Sequence, residues 1–282
     1  MTCDHTLVVE AIDSGFFSNF NCVVNHLHHS LGHNGCRAIG VDWRANRDFR
    51  EFAYGKPEDG NLWEHFFEPL AFPERPFKEI RVNGYADPSM TGRDAYTMYK
   101  SGNDWRAAYH RVFTKHVRVR EEIATRVDEI AAERLDGAFC VGVHYRHPEH
   151  NEGPRPAPPF LKHAQWAGRL LPRDRESRVV LATDIHECVD HFRDVFGERL
   201  VVQGGVARVP LAEEQQVHYL HAREDPRTSL GKEVLVDALL LARCAVLIHT
   251  VSNIATAVGY MRPDANMLFC EPLAEGRSEL SE

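Results

Sequence analysis

The chain has 282 residues, room for one large domain or two of ordinary size, and its 43% hydrophobic and 26% charged residues are globular usage, not disordered. With 33 Lys and Arg against 41 Asp and Glu the formal charge is −8, which argues against general nucleic-acid binding. Seven cysteines scattered singly without a CxxC, no basic start and apolar core of a signal peptide, and no run near the ~18 apolar residues of a membrane span point to a reduced, soluble, cytoplasmic chain without membrane insertion.

Thr6 to Ile12 (TLVVEAI) reads as a first strand, followed by a loop, Asp13 to Asn21, that carries Gly15 and Asn19. Phe20, Val23, Val24, Leu27 and Leu31 then recur at helical spacing, and Gly32 with Asn34-Gly35 supplies the stop. Cys36 to Val41 is a second strand, so the opening unit is that of a doubly wound sheet. Amides at the amino terminus of such a helix can hold an anion, although one glycine makes a weak phosphate motif. His26, His28, His29 and His33 read as a solvated flank of this helix, since no HExxH pattern or aspartate pair completes a metal site.

Residues 42–103 carry little pattern beyond an aromatic cluster, Trp63, Phe66, Phe67, Pro69, Leu70 and Phe72, read as core. Residues 104–135 read as one helix with Tyr109, Val112, Phe113, Val117, Val119, Ile123, Val127 and Ile130 in its buried stripe. The basic run Lys115 to Arg120 is assigned to that helix as a solvated face. Past Asp136-Gly137, short apolar strands alternate with helices. The strands are 138–143, 178–183, 200–202, 245–249 and 266–270; the helices are near 160–170, 185–196, 230–243 and 252–261. This predicts a Rossmann-like parallel sheet without GxGxxG. The expected architecture is α/β, two domains (1–135 and 136–282) with parallel sheets facing across a cleft.

Four strand ends in the second half carry polar residues where open α/β sheets build ligand sites. The first has His144 and Arg146, and an arginine there suits a phosphate or carboxylate, unless it merely pairs with an acidic surface neighbour. The second has Thr183-Asp184. The third is the loop His221 to Lys232, which enters a helix bearing Asp237. The fourth is Thr250-Val251-Ser252-Asn253, whose hydroxyls and amides open a helix and favour a phosphate. Asp184 and Asp237 suit a ribose or a base. Together they read as a nucleotide-diphosphate site.

The segments VGVHYRH, LATD and SLGKEVLVDALLLARCAVLIHTVSN resemble the α1,6-type fucosyltransferases and their rhizobial nodulation relatives, and more distantly the protein O-fucosyltransferases. The resemblance covers 138–261 and the opening forty residues. It implies a GT-B-like fold with 1–135 as the acceptor-side domain and 136–282 as the nucleotide-sugar-binding domain. In that superfamily a GVHxRR segment ends a strand; its first arginine holds the diphosphate of GDP-fucose and its histidine supports the nucleotide. By position His144 and Arg146 match these, Asp184 matches the acidic residue after the AT strand, Asp237 the helix aspartate, and Ser252 the first of a serine pair. The chain departs from the pattern at His147, Ile185 and Asn253, and no aspartate-lysine follows the arginine within Pro148 to Gly153.

The resemblance implies an inverting, metal-independent transfer of fucose from GDP-fucose to a glycan or small-molecule hydroxyl, without a cofactor. Arg146, amides near Ser252 and a protonated His147 would take up charge on the leaving diphosphate. A base for the acceptor hydroxyl would come from the loop after Arg146, with Glu152 preferred over Glu149. The rivals are another GT-B transferase with a different donor, and a silent homologue that binds a nucleotide sugar or glycan without turnover.

Overall fold

The computed structural model describes residues 4–12, 14–44, 60–72, 78–87, 104–146, 159–174, 176–212 and 228–270. In the first half β1 (His5–Glu10) leads into α1 (Phe16–His29) and β2 (Cys36–Asp42), and β3 (Lys78–Val82) completes a parallel sheet of order β2-β1-β3. Two helices follow, α2 (Asp104–His116) and α3 (Glu121–Arg134). The second half runs β4 (Cys140–Tyr145), α4 (Phe160–Leu170), β5 (Arg178–Thr183), α5 (His186–Phe196), β6 (Leu200–Val202), α6 (Thr228–Leu241), β7 (Val246–His249), α7 (Asn253–Met261) and β8 (Asn266–Phe269). Its strands form a parallel sheet of order β6-β5-β4-β7-β8. Both sheets are parallel, as the strand–helix alternation requires. No described helix is long and apolar enough to cross a membrane. The six described cysteines are free and buried.

Each face of the second sheet has its own core. Val141, Val143, Tyr145, Val179 and Leu181 point to a face covered by α4 and α5. Cys140, Val180, Ala182, Val201 and Leu247 point the other way, toward α6 and α7, and that core continues without a break into β1, α1, α2 and α3. Trp63, Phe66 and Phe67 are its aromatic centre, each at most 1% exposed, as the sequence predicts. Phe20 stacks on Phe67 with ring centroids 4.9 Å apart, and Phe66 meets Phe16 edge-on at 4.9 Å. Phe66 also lies so close over α6 that a Cβ at Gly231 would overlap its ring. Gly231→Ala should therefore overpack this contact and lower stability by about 1–3 kcal/mol, read as a shifted midpoint in urea unfolding.

Three expectations change. Residues 104–135 form two helices, because 117–120 (Val-Arg-Val-Arg) alternates at period two with β-branched residues and leaves the helix. Val119 bridges Phe67 in antiparallel fashion, Arg120 N–H donates to the Phe66 carbonyl at 3.0 Å, and the Arg120 guanidinium forks onto Glu68 with both contacts at 2.9 Å. The first strand of the second sheet starts at Cys140, not Ala138, and runs to Tyr145, since β5 pairs with it through Tyr145 and β7 through His144. The histidines of α1 are not a solvated flank, except the exposed His33. His26 is buried between Ser30 Oγ (3.0 Å) and the Gly84 carbonyl (3.1 Å). His29 Nε2 meets Tyr109 Oη at 2.8 Å, and the His28 ring packs 4.5 Å from the Tyr109 ring.

Candidate active site

The chain passes from β4 outward through β5 to β6, then returns to place β7 and β8 on the other side of β4. The order reverses between β4 and β7, and the crevice beyond the carboxyl ends of strands at such a point is where open α/β sheets bind ligands. His144 and Arg146 from β4 meet Thr250 to Asn253 from β7 at this point. His144 pairs in register with Ala182 on one side and His249 on the other. Its Nδ1 lies 3.1 Å from Ser252 Oγ, and the same oxygen caps α7 by accepting the Ala255 N–H at 3.0 Å. One hydroxyl thus ties the helix amino terminus to the strand end. Burial, then the neighbouring Arg146, push the His144 pKa down to about 3, so the imidazole is neutral at physiological pH.

Arg146 is the first residue past β4. It is half-buried and has no ion-pair or hydrogen-bond partner among the described residues. A guanidinium held beside a neutral histidine and the amino end of a helix is arranged for an anion. The acidic surface partner that would make it ornamental is not among those residues. Thr250 and Ser252, just past the end of β7, are buried.

Asp184 stands one strand over, half-buried past the end of β5, with its carbonyl accepting the Val209 N–H at 2.8 Å. Its charge reaches both His144 and Tyr145. Asp237 is buried on α6 against the end of β6, where Gln203 Nε2 donates to its Oδ1 at 2.9 Å and to the Glu233 carbonyl at 3.0 Å. Burial raises the Asp237 pKa to about 7 despite that hydrogen bond.

The opening loop is held together from within. Asn19 is 1% exposed, and its side chain braces the loop after β1. Its Oδ1 accepts the Ile12 N–H at 2.7 Å, while its Nδ2 faces the carbonyls of Ile12 (3.1 Å) and Ser14 (3.0 Å). Gly15 is the extended residue that opens α1. Asn253 joins the two halves: its carbonyl and Oδ1 receive Asn21 Nδ2 at 3.0 and 3.4 Å, and Tyr260 Oη donates to Asn21 Oδ1 at 2.7 Å. His147, Glu149 and Glu152 lie outside the described residues. Sequence reasoning passed over Gln203 and Arg208. For Gln203 the signal was a polar residue directly after the apolar strand 200–202, as His144 directly follows the apolar run 138–143.

No described group of three or more His, Cys, Asp or Glu side chains is arranged to hold a metal ion, the α1 histidines included. No family model matches the sequence, and comparison with curated proteins gives no match. Solved structures do match. The fold they share with this chain is α/β and GT-B-like, with two parallel sheets. NodZ α-1,6-fucosyltransferase co-crystallised with GDP superposes with a TM-score of 0.59 at 17% identity over 93% of this chain and 92% of that one. NodZ from Bradyrhizobium, as the selenomethionine protein, gives 0.56 at 18% identity over 93% and 92%. POFUT1 in complex with GDP gives 0.52 at 10% identity over 94% and 98%.

Proposed function

We propose that the chain is an inverting, metal-independent glycosyltransferase that moves fucose from GDP-fucose to a hydroxyl of a glycan or small molecule. The observation that carries this is Arg146, a guanidinium at the strand-order reversal without a hydrogen-bond or ion-pair partner among the described residues, set beside neutral His144, which Ser252 ties to the capped end of α7. NodZ structures obtained with GDP and with GDP-fucose support the choice of donor.

In this reading the bond from the fucose anomeric carbon to the β-phosphate oxygen breaks, and its electron pair leaves with GDP. Arg146 and the α7 amides stabilise the added negative charge, with His147 as a second cation when protonated. The acceptor oxygen forms the new bond from the opposite face, which turns a β-linked donor into an α-fucoside. The acceptor proton passes to the Glu152 carboxylate as general base. His144 stays neutral and offers a ring N–H to the nucleotide. Asp184 and Asp237 accept from ribose and base.

The test is GDP release by the purified protein from GDP-fucose beside GDP-mannose, UDP-N-acetylglucosamine and ADP-heptose, with and without EDTA and with candidate acceptors. Release from GDP-fucose alone, unaffected by EDTA, is expected. Turnover of another donor overturns the fucosyl assignment and leaves a transferase. GDP that binds but is never released from any donor marks a binding homologue.

A further inference from the structure

The first sheet ends in a strand whose outer edge meets no other strand among the described residues. There β3 pairs only with β1, from Lys78 opposite His5 to Val82 opposite Val9, and its other edge has no backbone partner. Lys78, Glu79, Ile80 and Arg81 are all exposed, Ile80 by 39%. An open edge presents its outward N–H and C=O groups to any strand that comes beside it. Charged residues often protect such an edge, but on β3 their order also favours one particular partner.

Period two puts Glu79 and Arg81 on one face of β3 and Lys78, Ile80 and Val82 on the other. A second copy of the strand can meet it antiparallel about a two-fold axis perpendicular to the sheet. Residues directly opposite one another then share a face. Centred on Ile80, this pairing sets Ile80 opposite the partner subunit's Ile80 and Glu79 opposite the partner subunit's Arg81, and the ion pair occurs twice by symmetry. The apolar stem of Lys78 lies beside the partner subunit's Val82. The neighbouring two-fold registers set Glu79 against Glu79 or Arg81 against Arg81, and like charges directly opposite are destabilising. Arg81 can serve this pair without leaving its own. Its Nη1 lies 2.7 Å from Glu10 and 2.9 Å from Asp42, while Nη2 is turned toward Glu79 at 3.9 Å, with no closer ion-pair contact among the described residues.

We propose that the chain forms a weak two-fold dimer through β3, which joins two three-stranded sheets into one of order β2-β1-β3-β3-β1-β2. The occupant is a second copy of this chain because the edge is complementary to itself in charge and carries an exposed apolar residue at its centre. The pairing uses each edge once, so it stops at two copies. A five-residue strand on each side buries less than the roughly 1,200 Å² of a stable complex. The dissociation constant should therefore fall between about 10 μM and 1 mM. The inference does not depend on the nucleotide site.

The experiment is sedimentation equilibrium of the full chain over a dilution series from about 5 to about 500 μM. The mass should rise from one chain toward two and no further. Glu79→Arg should weaken association about tenfold or more, because it sets like charges opposite in both pairs. Arg81→Glu should do the same. An equimolar mixture of these two variants should associate again, since each meets opposite charges on the other. Wild-type protein that stays monomeric throughout overturns the inference. So do association unmoved by Glu79→Arg, growth beyond two copies, and a mixture of the two folded variants that fails to associate. The Glu79 side chain is 63% exposed, whereas Arg81→Glu also loses the ion pairs to Glu10 and Asp42. The wild-type series and Glu79→Arg thus decide the matter even if Arg81→Glu fails to fold.

Discussion

Arg146→Ala is expected to lower GDP release from GDP-fucose by a factor of roughly 10²–10³, the loss that follows when a donor to developing negative charge is removed. Arg146 has no partner among the described residues, so its removal breaks no ion pair there. The melting temperature should therefore stay near the wild-type value. Arg146→Lys should recover part of the rate, because it keeps the charge and loses the two-pronged geometry. The variant should also ease the depression of the His144 pKa, since Arg146 is the largest cause after burial. Initial rates of GDP release beside a thermal melt check both halves of this expectation. A normal melt with an undiminished rate would move the leaving-group site away from the end of β4.

A second large effect is expected on acidification. His144, His163 and His249 are buried, and burial holds their pKa values at about 3, 4 and 4. In the unfolded chain these imidazoles take up protons below about 6.5, so their neutral burial costs stability as pH falls from there toward 4. Asp237 works in the opposite direction. Its pKa of about 7 means that the native state holds a proton between pH 7 and about 4 that the unfolded state does not. Three protons favour unfolding and one opposes it, a net of about two near pH 5. Stability should then fall by roughly 2.7 kcal/mol per pH unit in that range. Folding free energies from urea titrations at pH 7, 6 and 5 measure the slope. A flat profile would mean that these imidazoles titrate in the native state. His144→Gln should reduce the slope by about one proton's share.

What could be read in advance follows the physics of each segment. Residues 178–183 and 200–202 are short apolar runs buried on both faces, and the structure keeps their bounds as strands. The aromatic cluster around Trp63 was legible as core from its side chains alone. β3 was not legible, because Lys-Glu-Ile-Arg-Val is mostly exposed at a sheet edge and carries three charges in five residues. Its strand character comes from pairing with β1, a long-range fact that no local pattern contains. The α1 histidines were misjudged for a related reason. Polar residues on the flank of an amphipathic helix look solvated until α2 and the turn at Gly84 are packed against them.

The site divides along the same line. The places of His144, Arg146, Thr250 and Ser252 were legible because they lie at or just past the ends of strands whose apolar runs are plain in sequence. Asn19 and Asn253 have the residue types of ligand contacts, yet their side chains hold a loop and a helix pair. Only the fold distinguishes an amide that meets a nucleotide from one that meets a neighbouring backbone.

The Asn21–Asn253–Tyr260 knot, at the edge of a core that both sheets share, bears on how such a protein can diversify. Donor and acceptor preferences are often imagined as exchangeable cassettes, one per half. Here a transplanted first half would arrive with α1, α2 and α3 shaped to α6 and α7 of its original host, and a mismatch would unseat the helix whose cap also holds His144. New acceptors would be reached by changing loops at the rim, with the junction inherited as a unit. A recombinant that does exchange halves should carry residues 21, 253 and 260 from one parent.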